Sequence, residues 1–189
     1  MTRDLKIDDL MRGLVSQNPE EQIASLDKAL EVINDIARTA VQGLHGSSMP
    51  LFVAERLLNL GSPVVEPLED LLPQVQTPEE RIIVSLLLLQ LGSTSGVDCL
   101  LDAIEDNDEY APLVSNKLAA AHVSQAAERI ISRLSRDDLD ICRLSDAGKT
   151  DFVVSLLSAL KTIGVELPAH LRRRFSSVDA PWQVRTIIQ

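Results

Sequence analysis

The sequence predicts an all-α protein, and within that class a right-handed α-solenoid of stacked helical hairpins with an N-terminal helical cap. The first observation is a Leu-Gly pair at Leu60-Gly61 that returns as Leu91-Gly92, about 30 positions later, a spacing typical of helical repeats. The second is composition, which is 45% apolar but only 3% aromatic. One hairpin cannot bury its apolar face alone, so neighbouring hairpins must stack.

The repeat continues beyond these two pairs. Equivalent positions are Ala121-His122 and Ile163-Gly164, so a histidine stands where the other units carry glycine. A residue suited to a helix start precedes each of the four ends by the same interval; these residues are Gly46, Thr77, Asn107 and Lys149. We expect Gly92 to take the left-handed conformation that is common just after a helix.

Residues 1–45 are predicted to form the N-terminal cap, a pair of helices. Asn18-Pro19 starts the second helix well, because asparagine is a preferred cap and proline suits the first turn. Its apolar residues recur at intervals of three and four; they are Ile23, Leu26, Leu30, Ile33, Ala37, Ala40 and Leu44. This stripe is expected to face the first repeat, and a coiled-coil homodimer is the alternative.

Residues 46–189 are predicted to hold the repeats and to continue the cap as a single domain. The helix nearest the centre is expected over 79–91, which is apolar on nearly every side. The other helices are expected near 50–60, 62–72, 95–104, 109–121, 124–134, 150–162, 168–176 and 180–189. Residues 135–149 break the period, either as a functional insertion or as a tolerated surface loop.

A resemblance to HEAT repeats rests on the unit between Gly61 and Gly92. It reads Gly-Ser-Pro-Val-Val-Glu-Pro-Leu, then Thr-Pro-Glu-Glu-Arg, then an apolar helix that ends in Leu-Gly. This resembles the short HEAT-like repeats also found in phycobilisome lyases, with Arg81 and Arg185 at the position of the family's arginine. Tyr110 and Phe152 fall near that position in the other units. The resemblance covers roughly residues 46–189 and implies a fold much more than a function.

Net charge excludes one broad class of function. The chain carries a formal charge of −10, which argues against general nucleic-acid binding because neutralising phosphates dominates that affinity. No signal peptide is expected, and the longest apolar run, Ile82 to Leu91, is about half the ~20 residues that a membrane span needs. Cys99 and Cys142 are too few for a disulfide framework. These features predict a cytoplasmic protein without membrane contact.

No constellation of catalytic or metal-binding residues stands out. His45, His122 and His170 are each isolated, so no His/Cys cluster has the spacing of metal ligands. Gly148-Lys149-Thr150 resembles the end of a phosphate-binding loop, but the first glycine of that motif is replaced by Arg143. We expect a loop here, with Thr150 or Asp151 capping the next helix. The sequence therefore predicts no enzyme, no cofactor and no metal.

Two surfaces are candidates for binding a partner protein. In a HEAT-type array the second helix of each hairpin lines the concave side, where mixed polar and apolar residues suit an interface. The concave-face candidates are Phe52, Arg56, Asn59, Ile83, Leu87, Gln90 and Lys117. Packing between layers is the alternative for Phe52, Ile83 and Leu87.

The second surface, here called the acidic edge, collects the acids at turns between outer and inner helices. Its members are Glu79, Glu80, Asp102, Glu105, Asp106, Asp108 and Glu109. Acids are also favoured at helix N-termini by the helix dipole, which explains some of them individually. Their density over 102–109 predicts attraction to a basic protein.

These observations predict a non-catalytic protein-binding module, with an inhibitor or immunity-type protein as one specific form. The first alternative is a lyase-like or chaperone-like factor that acts on a cofactor-bearing protein, which requires an apolar cleft around Phe52, Ile83 and Leu87. The second alternative is a subunit or fragment of a larger helical scaffold.

Overall fold

The structure is a computed structural model that describes residues 7–44, 50–139 and 147–188. Every regular element within these ranges is a helix, so the predicted all-α class is confirmed. The helices group into two compact units, of which the first ends at Gln74 and the second begins at Val75. The predicted ranges 1–45 and 46–189 separate a cap from repeats within one domain, and they stay a prediction.

The described residues of unit 1 form four α-helices. They are α1 (Ile7–Leu14), α2 (Pro19–Gln42), α3 (Pro50–Leu58) and α4 (Val65–Leu71), with short 3-10 turns at Ser62–Val64 and Leu72–Gln74. The predicted start of α2 is confirmed, because the Asn18 side chain accepts a hydrogen bond from the Glu20 backbone N–H at 3.1 Å. Pro19 occupies the first turn, where a missing N–H costs nothing.

The apolar stripe of α2 is only partly covered. Helix α2 packs against α1, α4 and the 3-10 turn Ser62–Val64. Its C-terminal end is buried at Ala37, Val41 and Leu44, while the stripe from Ile23 to Ile33 is exposed. The expectation that the whole stripe faces the first repeat is therefore wrong for its N-terminal half, because α4 is too short to cover a helix of 24 residues.

Unit 2 contains seven α-helices in its described residues. They are α5 (Pro78–Gln90), α6 (Val97–Asp106), α7 (Ala111–Ala120), α8 (Ala126–Ser135), α9 (Ala147–Ile163), α10 (Ala169–Phe175) and α11 (Trp182–Ile188). Consecutive helices pack as hairpins from α5 to α8. Helices two apart in the chain are also in contact: α5 with α7, α6 with α8, and α7 with α9.

The core of unit 2 begins in α5, as predicted. Seven successive residues, Ile82 to Leu88, are buried in this helix. Leu100, Leu118, Leu156 and Phe175 extend the same core through α6, α7, α9 and α10. Burial on every side is possible for α5 because it has neighbours on more than one side. Trp182 of α11, by contrast, is exposed.

The four predicted helix ends share a positive backbone angle φ. It is 72° at Gly61, 88° at Gly92, 57° at His122 and 82° at Gly164, and the expectation for Gly92 is confirmed. Gly61 differs in its ψ of −144°, which is outside the left-handed helical region. The residue after each of the last three donates its N–H back into the helix. An example is the 2.9 Å bond from Ser93 N–H to the Leu88 carbonyl, the hydrogen bond of a Schellman motif.

The segment after α8 differs from its predicted loop. A 3-10 turn spans Asp137–Leu139, and α9 already begins at Ala147. Thr150 is buried in the first turn of α9, so neither it nor Asp151 caps the helix as expected. The cause is that Gly148-Lys149-Thr150 is itself helical. Arg143, Cys142 and the rest of 140–146 lie outside the described residues.

Candidate functional site

The acidic residues of α6 face a row of arginines on α8, which we call the arginine belt and which consists of Arg129, Arg133 and Arg136. Arg129 lies 3.0 Å from a Glu105 carboxylate oxygen and 3.4 Å from one of Asp102. The hydrogen bond to Glu105, with the charge of that carboxylate, raises the pKa of Arg129 above its usual value. Two members of the acidic edge are thus paired within the molecule.

Arg133 is the most buried charged side chain of the belt. Its side chain is 1% exposed, and Nη2 lies 2.6 Å from Oδ1 of Asp108, whose own side chain is 68% exposed. The guanidinium also lies over the ring of Phe152, 5.1 Å from the ring centre. A planar cation can stack on an aromatic face and donate at its edge at once, which suits arginine better than lysine. Asp108 therefore helps to hold α8 and α9 against the turn that precedes α7.

Arg136 and Arg174 complete the same region from its far end. Arg136 donates to the backbone carbonyl of Glu105 at 2.8 Å. Arg174 of α10 donates to the carbonyls of Leu134 and Arg136 at 3.4 and 3.3 Å. These carbonyls close α8, where cations are favoured by the helix dipole and by unmade hydrogen bonds. The basic cluster on α10 therefore has a structural use at Arg174.

Three further acids, Glu79, Asp106 and Glu109, form none of the ion pairs above and are called the outer acids. All three are exposed. The charge of Asp106 nevertheless contributes to the raised pKa of Arg129. Glu79 lies in the first turn of α5 and Glu109 just before α7, yet both act on the phenol of Tyr110. Burial raises the pKa of Tyr110 above 10, and the charges of Glu109 and Glu79 raise it further. The turns before α5 and α7 thus come together around one half-buried aromatic ring.

Glu80, the remaining member of the acidic edge, has a local structural role. Its backbone N–H donates to the Thr77 hydroxyl at 3.3 Å, which caps α5 as the sequence predicts. Arg81, the arginine of the HEAT-like pattern, donates to the Val75 carbonyl at 3.1 Å and so ties the start of α5 to the preceding turn.

The concave-face candidates fall into three environments. Ile83 and Leu87 are each 1% exposed and are core residues, in line with the packing alternative. Gln90 and Lys117 are bonded to each other, with Nζ of Lys117 donating to Oε1 of Gln90 at 3.2 Å, which joins α5 to α7. The remaining candidates belong to unit 1, where Arg56 and Asn59 are exposed and the Phe52 side chain lies outside the described part of the structure.

A cavity of about 340 Å³ opens beside the C-terminal end of α9. Leu160 and Ile188 form part of its apolar wall, and Lys161 and Arg172 contribute cations. Arg172 pairs with Glu166 at 3.3 Å, and both side chains are exposed. None of the predicted site residues lines this cavity.

The arginine belt was not among the sites predicted from the sequence. Arg129 and Arg133 lie four positions apart on α8, so they share one face of that helix. Their carboxylate partners lie on or just after α6, which packs against α8. The sequence could have indicated these ion pairs, because acids on α6 and arginines on α8 lie one repeat apart. That inference requires α6 and α8 to be assumed neighbours.

The comparisons with known proteins bring no family to this chain. No protein-family model, no curated protein and no solved structure matches it. In the ranges that the structure describes, His, Cys, Asp and Glu side chains form no group of three that could hold a metal ion. No described helix combines the length and the apolar character that crossing a membrane requires.

Proposed function

We propose that this chain is a non-catalytic protein-binding module, a HEAT-like α-solenoid whose acidic edge receives a basic segment of a partner protein. The repeat is supported by the left-handed helix ends at Gly92, His122 and Gly164. It is also supported by the succession of contacts from α5 to α7 and from α7 to α9. Stacked hairpins of this kind offer long surfaces for protein binding.

The observation that carries the proposal is the split within the acidic edge. Asp102, Glu105 and Asp108 are paired with arginines of the belt, whereas the outer acids belong to none of the ion pairs described above. Two of the outer acids flank Tyr110 closely enough to oppose its ionisation. A lysine or arginine of a partner would relieve that local excess of negative charge, and the tyrosine ring would add apolar contact area.

The concave inner face is the weaker of the two candidate surfaces. Ile83 and Leu87 are buried, so they offer no area to a partner in this conformation. Gln90 and Lys117 satisfy each other. Binding there would have to break that bond, whereas binding at the outer acids breaks none of the ion pairs described above.

A matched pair of triple variants tests the proposal. The first neutralises the outer acids with Glu79→Gln, Asp106→Asn and Glu109→Gln. The control neutralises three other exposed acids with Asp98→Asn, Glu128→Gln and Asp179→Asn. Both variants change the net charge equally. The first removes one acid from a first helical turn, Glu79, and the control removes two, Asp98 and Glu128. Each protein is immobilised and exposed to native cell lysate at low and high salt.

A basic protein that is captured by the wild type and the control, lost by the first variant and released by salt would support the proposal. Retention of the same partner by both variants would place its binding site elsewhere. A partner that stays bound at high salt would contradict a mainly electrostatic interface, because screening weakens exposed charge pairs. A partner that is itself an enzyme or toxin would favour the inhibitor or immunity-type form.

A further inference from the structure

The exposed stripe of α2 places a row of large aliphatic side chains in solvent. Ile23, Leu26, Leu30 and Ile33 are 59%, 52%, 57% and 43% exposed, and Ile36 beside them is 55% exposed. Single exposed aliphatic residues are ordinary on protein surfaces, but a contiguous row is typical of an interaction site. All five residues belong to unit 1, so this surface is made from residues other than those of the acidic edge.

The spacing along the stripe defines the geometry of what can cover it. Intervals of three and four residues from Ile23 to Ile33 place these side chains in one narrow seam along the helix. From Ile23 to Ile36 the seam is about 20 Å long, at 1.5 Å of rise per residue. A narrow straight seam is complementary to another helix with the same spacing, and a broad groove or sheet would leave its sides uncovered.

Helix α1 does not supply that second helix. It lies against a different face of α2, where a Cβ added at Gly13 would fall 1.9 Å from the Ser25 hydroxyl oxygen. Ser25, Ala29 and Val32 are half-buried on that side. The close approach at Gly13 holds α1 there, so the seam remains open after the unit has packed.

The charges of α2 are distributed in a way that permits a copy of the same helix to approach. Among the exposed positions next to the seam, Glu20 and Asp27 are charged, whereas Gln22, Asn34 and Ile36 are not. The charged side chains Lys28, Glu31, Asp35 and Arg38 fall on the other faces of the helix. Self-association through the seam therefore brings few like charges together, although the chain as a whole carries −10.

We propose that the α2 seam is an interface with a second copy of this chain, packed as a two-fold symmetric pair. A two-fold contact uses the same patch on both copies, which a self-complementary apolar seam satisfies. The five exposed side chains offer roughly 500 Å² per copy, or roughly 1,000 Å² in a pair, which reaches the lower limit for a specific interface.

Sedimentation equilibrium of the full chain over a wide range of concentrations tests the proposal. The wild type is expected to approach twice the 20.7 kDa chain mass. Leu26→Lys combined with Leu30→Lys should raise the dissociation constant at least about a hundredfold, because it buries charge in the seam. Leu60→Lys combined with Val178→Lys is the matched control, since it adds the same charge at exposed apolar residues outside the seam.

Dimeric wild type and control with a monomeric seam variant of unchanged helix content would support the proposal. A wild type that stays monomeric at every concentration would overturn it, and so would a seam variant that remains dimeric. If the lysine variant loses helix content, Leu26→Ser with Leu30→Ser repeats the test with smaller polar side chains. A monomeric serine variant that keeps its helix content supports the seam, and a dimeric one overturns it.

Discussion

Helices α2 and α5 are both rich in aliphatic side chains, yet their surroundings differ greatly. Helix α5 buries seven successive residues, whereas α2 buries Ala37 and Val41 along its 24 residues. The ion pair described within α2 joins Arg38 to Asp35 of the same helix, while those of α8 join it to α6 and to the turn after α6. Unit 2 thus joins its helices by packing and by ion pairs, whereas unit 1 leaves a row of apolar side chains on α2 exposed.

The largest expected difference in the free energy of unfolding is between truncating a leucine of α5 and truncating a leucine of α2. Leu88→Ala in α5 should cost about 2–5 kcal/mol of unfolding free energy, because Leu88 is fully buried and the side chain leaves a cavity. Leu30→Ala in α2 should cost under about 0.5 kcal/mol in dilute solution, where its side chain is exposed. Urea denaturation measures both. Equal costs would show that the difference in burial between the helices is not real.

The arginines of α8 test whether charges that link helices stabilise unit 2. Arg133→Ala should cost about 2–4 kcal/mol, since it removes a buried side chain that packs over Phe152 and donates charge-assisted hydrogen bonds to the exposed Asp108. Arg129→Ala, in an exposed pair on the same helix, should change stability too little to resolve. Thermal unfolding of both variants makes the comparison, and an Arg129 effect as large as that of Arg133 would contradict it.

Substitutions at the helix ends of unit 2 should change the free energy of unfolding in both directions. Gly92→Val should cost about 1–3 kcal/mol, because a β-branched residue is strained at a φ of 88°. His122→Gly should gain up to about 1 kcal/mol by relieving the same strain at 57°. Denaturant midpoints measure both changes. A destabilised His122→Gly protein would mean that the imidazole makes a contact more valuable than the relief of strain.

The smallest effect concerns the ionisation of Tyr110, the chain's single tyrosine. Glu109→Gln should lower the pKa of Tyr110 toward 10, leaving burial as the main cause of its elevation. A raised folded-state pKa contributes stability below about pH 10, the unfolded value, and that contribution disappears as pH rises through the folded value. Absorbance of the tyrosinate follows the titration. Asp98→Asn is the control and should leave the midpoint unchanged.

The sequence predicts local structure here better than it predicts burial. Helix α5 was expected over 79–91 and spans Pro78–Gln90, because Thr77-Pro78 and Leu91-Gly92 are strong local boundaries. The burial of Arg133 was not predictable from α8 alone, since it depends on Asp108 and Phe152 from elsewhere in the chain.

The predicted binding surfaces show the same limit. Ile83 and Leu87 were candidates because the second helix of a HEAT-type hairpin lines the concave side. Helix α5 is apolar on nearly every side, so periodicity cannot separate its core from its surface. The sequence predicted that the acids lie at turns between helices. Their division into paired and outer acids depends on how α6 and α8 pack. The open seam of α2 was equally hidden, because the pattern shows that a helix needs a partner without showing whether the chain supplies one.

The chain's two strongest near-ultraviolet chromophores, Tyr110 and Trp182, both fall in unit 2. Near-ultraviolet absorbance and intrinsic fluorescence therefore follow that unit almost alone, while far-ultraviolet circular dichroism sees the helices of both. Subtracting one melting curve from the other gives the unfolding of unit 1 without any label. Because unit 1 has neither tryptophan nor tyrosine, it contributes little to the near-ultraviolet signals. Its unfolding can therefore be measured as the difference between the far- and near-ultraviolet melting curves.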